Sequence, residues 1–195
     1  EGAWNPRLLR IVYPFPYRDV ITREARRHGL EPALVAALIR QESLFSPRAR
    51  SAAGAIGLMQ IRPATGRALA RQADMPRFQT RQLLDPETNI RLGTLHLANL
   101  VRRYGSLTQA LAAYNAGTGS LGRWRAWPEA ADLELFAERI PYAETRDYVR
   151  TVQQNARIYD WLYGKDGGDA GRPAGPAGAA PAGGTRRAAP AGGTR

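Results

Sequence analysis

The amino-acid sequence predicts an all-α protein. Apolar residues recur at the three- and four-residue spacing of helices, and Pro, Asp, Ser and Gly stand where helices begin and end between residues 17 and 164. A sustained alternation of apolar and polar residues, which would indicate a β-strand, is not found over any useful length.

The first helical segments are delimited by Gly29 and Pro32. Glycine suits the end of one helix, and proline is favoured in the first turn of the next, where its missing N–H costs nothing. The helix that begins at Pro32 carries a stripe of apolar residues typical of a buried face, namely Leu34, Val35, Leu38 and Ile39.

Four further helices follow. Asp85-Pro86 predicts the start of a long helix that runs through Tyr104 and ends at Gly105. Ser106 can cap a shorter helix to about Asn115, which Gly117 stops. The last two are expected over 132–139 and 143–163, and the expected buried residues of the final helix are Tyr148, Val149, Val152, Ala156, Tyr159 and Trp161.

Both ends of the chain differ from this helical region. Residues 1–16 contain three prolines and three aromatic residues, and we expect an extended, packed lead-in or linker remnant rather than a helix. Residues 165–195 are rich in Gly, Ala, Pro and Arg and contain a near-tandem repeat, so we expect a disordered tail. The globular domain is thus assigned to residues 17–164.

Composition narrows the function classes. The net charge is +11, carried almost entirely by arginine, since Lys165 is the only lysine. Such a charge favours an anionic partner. Because the basic residues are scattered along the sequence, they give only weak support for a nucleic-acid-binding surface. The absence of cysteine excludes disulfides and thiolate metal sites. Because the chain begins at Glu1 and not at Met, we interpret it as a mature or excised fragment.

Glu42 is the first candidate for chemistry. It lies seven, four and three residues after Val35, Leu38 and Ile39, so its carboxyl group points towards the core side of the helix. It also falls in the last helical turn, where the helix dipole disfavours negative charge. Desolvation and the dipole both raise the pKa of a carboxyl group, as a general acid near neutral pH requires. A solvated or arginine-paired glutamate is the alternative that periodicity leaves open.

The motifs around Glu42 indicate a family. They are 41–43 (Gln-Glu-Ser), 57–61 (Gly-Leu-Met-Gln-Ile), 84–90 (Leu-Asp-Pro-Glu-Thr-Asn-Ile), 113–117 (Ala-Tyr-Asn-Ala-Gly) and 140–146 (Ile-Pro-Tyr-Ala-Glu-Thr-Arg). In this order they resemble the catalytic domain of soluble lytic transglycosylases, which are related to goose-type lysozyme, over roughly residues 13–164. The segments 13–17 and 141–146 resemble the large soluble type most closely. The resemblance implies a lysozyme-like helical domain with a substrate cleft.

The resemblance also implies the reaction. Glu42 matches the acid/base that protonates the glycosidic oxygen between N-acetylmuramic acid and N-acetylglucosamine. It then removes the proton of the muramoyl C6 hydroxyl, which attacks C1 and leaves a 1,6-anhydromuramoyl end. Because water does not enter, a second carboxylate is not needed, unlike in the usual two-carboxylate glycosidase.

The same resemblance assigns substrate-binding residues. The set comprises Ser51, Met59, Gln60, Tyr114, Asn115 and Glu144. Within it, Tyr114 is expected to donate a hydrogen bond to the catalytic carboxylate or to the sugar, Met59 to pack beneath the cleft, and Glu144 to lie at the cleft edge. Cofactors and metal ions are not expected. The implied partner is the glycan strand of peptidoglycan, the implied location is the periplasm or cell envelope, and a monomer with weak contacts to anionic wall polymers is expected.

Arg62 and the two histidines also lie outside the substrate-binding set. Arg62 stands where the family commonly has methionine, and its side chain either lines the cleft and meets a peptide carboxylate or turns outwards. His28 and His96 have no partner at metal-ligand spacing, and we interpret both as surface residues.

Three rival functions remain open. A hydrolytic muramidase on the same fold would need a second carboxylate to activate water, with Asp74, Asp85 and Glu87 as candidates. A peptidoglycan-binding module without catalysis, and a nucleic-acid-binding protein supported by charge alone, are the other two.

Overall fold

The computed structural model describes residues 5–164. Within this range the backbone forms nine α-helices and two 3₁₀ turns, at Thr80–Leu84 and Pro128–Ala131. The helices are α1 Pro6–Val12, α2 Arg18–Arg27, α3 Pro32–Ser43, α4 Pro63–Gln72, α5 Pro86–Tyr104, α6 Leu107–Ala116, α7 Thr118–Trp124, α8 Leu133–Arg139 and α9 Ala143–Tyr163. Extended pairing in the described range is limited to isolated bridges between residues 50 and 61. The all-α prediction is confirmed.

Local chemistry sets the ends of the central helices. The Asp85 carboxylate accepts a hydrogen bond from the Thr88 N–H at 2.8 Å, which caps α5. At the other end of α5, Gly105 has φ of 65°, a left-handed conformation that glycine adopts without steric cost. Ser106 caps α6 in the same way as Asp85 caps α5. The predicted bounds of α5 and α6 therefore agree with the structure to within one residue.

The core is built around α3. All six residues from Leu34 to Ile39 are buried, so this helix is enclosed on every side and not along one stripe only. It packs against α9 and α2, while α5 packs against α6 and α2. Because α3 runs through the middle of the domain, a polar residue at its end is held by a rigid, enclosed element.

The prediction for residues 1–16 is wrong over Pro6–Val12, which form α1. The Asn5 side chain accepts a hydrogen bond from the Arg7 N–H at 2.9 Å, and Pro6 occupies the first helical turn. A proline in that position does not remove a hydrogen bond, so it favours a helix instead of breaking one.

Residues 13–16 are a packed, non-helical segment, as predicted. Tyr13 and Phe15 pack edge-on against Tyr159, with ring centroids 5.8 and 5.6 Å away. The Tyr159 hydroxyl donates to the Pro14 carbonyl at 2.8 Å. These contacts hold the end of α9 against the segment that leads into α2.

Trp161 was expected to be buried, but 47% of its surface is exposed. It lies two residues after Tyr159, which is about 200° around a helix, so it faces away from the core. The predicted tail at residues 165–195 lies outside the described residues. Of the helices within residues 5–164, none is long and apolar enough to cross a membrane.

Candidate active site

Glu42 is presented by the last turn of α3. Its neighbour Ser43 anchors that turn, because the Ser43 hydroxyl lies 2.7 Å from the Leu58 carbonyl and 3.2 Å from that of Ile39. The chain then passes through Leu44 and Phe45, both left-handed with φ of 48° and 62°. Left-handed backbone costs about 1–2 kcal/mol per non-glycine residue, so the turn is imposed by packing. The buried ring of Phe45 supplies that packing.

The half-buried carboxyl group of Glu42 accepts a hydrogen bond from the Tyr148 hydroxyl at 2.6 Å. Burial raises the pKa of Glu42 to about 7. The Tyr148 hydrogen bond opposes this rise because it stabilises the charged form, and the negative charge of Glu144 adds to it. Glu42 is therefore a carboxyl group that exchanges its proton near neutral pH.

Sequence reasoning missed the role of Tyr148, which it assigned only to the core. The two residues are 106 positions apart and meet because α9 crosses α3. The structure also shows that Tyr114 does not donate to Glu42. Its hydroxyl donates to the Met59 carbonyl at 2.8 Å, so the first of the two expected acceptors, the Glu42 carboxylate, is not the one observed.

Met59 lies beneath the site. Its side chain is fully buried against α5, where Gly93 leaves room for it because a Cβ at that position would overlap the Met59 side chain. The Met59 side chain thus packs under the cleft, as expected, and does not line the cavity.

The loop that carries Met59 is held by Asn89 of α5. The Asn89 side chain is completely buried, accepts from the Met59 N–H at 2.8 Å, and donates to the carbonyls of Ile56 and Leu83 at 2.9 and 2.7 Å. A buried amide with three hydrogen bonds fixes the backbone it contacts. Asn89 belongs to the 84–90 motif, but its role as loop anchor depends on tertiary contacts that the motif does not show.

A cavity of about 520 Å³ opens over Glu42. Its walls come from the 51–62 loop, the first turn of α4, the middle of α5, the end of α6 and the start of α9. The predicted site residues that line it are Glu42, Ser51, Gln60, Tyr114, Asn115 and Glu144. The structure thus brings together all of that set except Met59.

Several polar side chains of the cavity are partly engaged with the protein itself. The Ser51 oxygen accepts from the Ala55 N–H at 3.0 Å, and the Gln60 amide nitrogen donates to the Gly57 carbonyl at 2.9 Å. The buried Thr145 hydroxyl donates to Asn115 Oδ1 at 2.6 Å. These bonds leave the Ser51 hydroxyl proton, Gln60 Oε1 and Asn115 Nδ2 available for hydrogen bonds to other partners. Thr145 was not predicted as a site residue.

Arg62 and His96 also line the cavity. Arg62 therefore lines the cleft, as the first of its two predicted orientations requires, and its contact with a peptide carboxylate stays a prediction. His96 was expected at the surface, and that interpretation is wrong, because its ring packs against Tyr114 at 5.0 Å between centroids. Its spacing of four from the buried residues Leu92 and Leu100 could have indicated this position.

The three carboxylates considered for a hydrolase lie elsewhere. Asp85 caps α5, Glu87 pairs with Arg23 at 2.6 Å, and Asp74 does not line the cavity. The carboxylates that do line it are Glu42 and Glu144. Among the side chains that the structure describes, the acidic residues and histidines form no cluster of three suited to a metal ion.

Fold and site together define a helical, lysozyme-like domain whose cleft is built around a half-buried carboxyl group. The family described as the Transglycosylase SLT domain matches residues 19–136. The chain is 38% identical to the soluble lytic murein transglycosylase of Salmonella typhimurium over 154 residues, which is 77% of this chain and 23% of that protein. The corresponding protein of Escherichia coli K12 is 36% identical over 78% of this chain and 24% of its own length.

Solved structures agree with these sequence matches. An inactive glutamate-to-glutamine mutant of lytic transglycosylase Slt from Pseudomonas aeruginosa matches with a TM-score of 0.74 and 38% identity, over 78% of this chain and 25% of that one. The 70 kDa soluble lytic transglycosylase of Escherichia coli matches with a TM-score of 0.74 and 35% identity, over 80% of this chain and 26% of that one. The chain belongs to the Transglycosylase SLT domain family, and it spans about a quarter of the length of these relatives.

Proposed function

We propose that this domain is a peptidoglycan lytic transglycosylase in which Glu42 acts first as general acid and then as general base. The observation that carries the proposal is the Glu42 carboxyl group, half-buried in the cleft with a pKa raised to about 7. Near neutral pH a substantial fraction of the carboxyl groups holds a proton, and the remainder can accept one, so the same residue can serve in both steps.

The first step breaks the β-1,4 bond between N-acetylmuramic acid and N-acetylglucosamine. The Glu42 proton moves to the glycosidic oxygen, which leaves with the bonding electron pair as the free hydroxyl of the departing N-acetylglucosamine. Positive charge develops at C1 of the muramoyl residue, and the acetamido group of the substrate supports it. The carboxylate that remains on Glu42 is stabilised by the Tyr148 hydroxyl at 2.6 Å.

In the second step the muramoyl C6 hydroxyl attacks C1. Its proton returns to Glu42, and the new C6–O–C1 bond closes the 1,6-anhydro ring. Glu42 thus ends the reaction protonated, as it began, and water is not consumed. A single residue suffices because the nucleophile belongs to the substrate. Asp74, Asp85 and Glu87 lie outside the cavity, which supports this route, and the second carboxylate that lines the cavity is Glu144.

Glu144 has an electrostatic role in this proposal. It lines the cavity, and its negative charge raises the pKa of Glu42. The polar groups that face the cavity, Ser51, Gln60 and Asn115, bind sugar hydroxyl and acetamido groups. The substrate is the glycan strand of peptidoglycan, in agreement with the murein named for the relatives, and the working location is the cell envelope.

The test is digestion of purified sacculi followed by mass spectrometry of the soluble products. We expect muropeptides ending in 1,6-anhydromuramic acid from the wild-type chain, and none from Glu42→Gln, which keeps size and hydrogen bonding but cannot transfer the proton. Glu138→Gln is the matched control, because Glu138 is exposed and pairs with Arg150 at 3.3 Å on the surface. It should retain wild-type turnover.

Three outcomes would count against the proposal. Products with a reducing muramic acid would identify a hydrolytic muramidase. Binding of sacculi without soluble products would identify a binding module. Full activity in Glu42→Gln would remove Glu42 from the mechanism.

A further inference from the structure

His96 occupies a position in the cleft that the proposed reaction does not use. It lies in the middle of α5, on the same face as Leu92 and Leu100, and both of these are buried. Its own ring is half-buried and reaches the wall of the cavity next to Tyr114. The two rings lie 5.0 Å apart at an interplanar angle of 46°, so Tyr114 holds the imidazole in place from one side.

The two ring nitrogens of His96 have unused hydrogen-bonding capacity. Neither makes a hydrogen bond to the part of the chain between residues 5 and 164. Among the described side chains, the buried polar atom that lacks a hydrogen-bond partner is Glu24 Oε2. The His96 nitrogens also lack a partner but are not in this buried class, so they are not sealed in the core. Because His96 lines the cavity and its nitrogens are neither bonded nor sealed, a ligand in the cavity can supply their hydrogen-bond partners.

The imidazole is neutral in the working pH range. Burial lowers the pKa of His96 to about 4. A neutral imidazole has one N–H donor and one acceptor nitrogen, which matches the donor and acceptor character of sugar hydroxyl and acetamido groups. A neutral ring also adds no positive charge to the cleft, and a positive charge there would lower the pKa of Glu42.

We propose that His96 is a substrate-binding residue whose imidazole nitrogens hydrogen-bond a hydroxyl or acetamido group of the glycan in the cleft. This inference rests on the proposed function, because it takes the cavity to hold a glycan strand. Ser51, Gln60 and Asn115 each use part of their capacity on the protein, whereas His96 keeps all of its capacity for the ligand.

The chain contains two histidines, which permits a direct test. The Glu42→Gln variant of the full chain, uniformly labelled with ¹⁵N, is titrated with a tetrasaccharide of alternating N-acetylglucosamine and N-acetylmuramic acid. We expect the imidazole nitrogen signals of His96 to shift in a saturable manner. The signals of His28, which does not line the cavity, should stay in place and serve as the internal control.

A pair of variants measures the contribution to binding. His96→Phe keeps an aromatic ring against Tyr114 but removes both nitrogens, and we expect KM to rise about tenfold with kcat nearly unchanged, the effect of losing one net hydrogen bond. His96→Gln, which restores a donor and an acceptor, should recover part of this loss. His28→Phe is the matched control and should behave as wild type.

The outcomes separate this inference from the proposed function. If backbone amide signals of Asn115 and Gly117 follow the titration while the His96 imidazole does not move, glycan binding stands and the role of His96 is overturned. Wild-type KM in His96→Phe would also overturn it. If no signal around the cavity moves and the wild-type chain forms no anhydro product, the proposed function fails first, and the role of His96 fails with it.

Discussion

Replacing Tyr148 by Phe tests how the structure sets the acidity of Glu42. The Tyr148 hydroxyl donates to Glu42 Oε1 at 2.6 Å, and its ring is almost completely buried. Burial beside Glu42 raises the pKa of Tyr148 well above its ordinary value, so the phenol stays protonated and remains a donor. The substitution removes one hydroxyl group and leaves the packing of the ring.

The direction and size of the effect follow from this geometry. The hydrogen bond stabilises the charged carboxylate, so its loss raises the pKa of Glu42 further above about 7. A hydrogen bond to a charged group contributes about 1.5–3 kcal/mol, and 1.36 kcal/mol corresponds to one pH unit, so the midpoint should move up by roughly one to two pH units.

The assay is the pH dependence of kcat/KM on soluble glycan strands between about pH 5 and pH 10, because this quantity reports the pKa of the free enzyme. Activity falls where Glu42 loses its proton, so this basic limb should lie near pH 7 in the wild type and at higher pH in Tyr148→Phe. The maximum rate should fall as well, because the carboxylate formed in the first step loses its donor.

The matched control is Tyr159→Phe. Tyr159 lies on the same helix and is equally buried, but its hydroxyl donates to the Pro14 carbonyl away from the cleft. The basic limb of the pH profile of Tyr159→Phe should stay at the wild-type position. A limb in Tyr148→Phe that is unmoved, or that moves to lower pH, would refute the reasoning about the Glu42–Tyr148 pair.

Two further predictions concern the same carboxyl group. Glu144→Gln removes a like charge near Glu42 and should move the basic limb to lower pH by a few tenths of a pH unit. The shift should be larger at low salt, because Glu144 is exposed and its charge is screened by ions. A limb that is insensitive to this substitution would exclude the electrostatic role of Glu144. Glu42→Gln should stabilise the fold at pH 8 by up to about 3 kcal/mol, because ionisation of a carboxyl whose pKa rises from 4.5 to about 7 on folding destabilises the folded state progressively over that interval. Below about pH 4.5 the two proteins should have equal stability in urea unfolding, and equal stability at pH 8 would indicate that Glu42 is not desolvated.

Helix limits were predictable because they depend on nearby residues. Asp85, Gly105 and Ser106 act on backbone groups within four positions, so their meaning is contained in a short segment. The same holds for the placement of Glu42 on the core side of α3. The error at α1 came from the interpretation of Pro6, whose effect depends on whether it stands in the first turn or in the interior of a helix.

The amino-acid sequence by itself determined the all-α class, the bounds of the central helices and the position of Glu42 at the end of a buried helix. The tertiary structure alone decided what surrounds that carboxyl group. Tyr148 meets Glu42 from 106 residues away, Thr145 orients Asn115, and His96 enters the cleft against Tyr114. The physical reason is that burial and hydrogen-bond partners depend on which helix faces meet. Local periodicity shows that a face is buried, but it does not show which residue lies opposite.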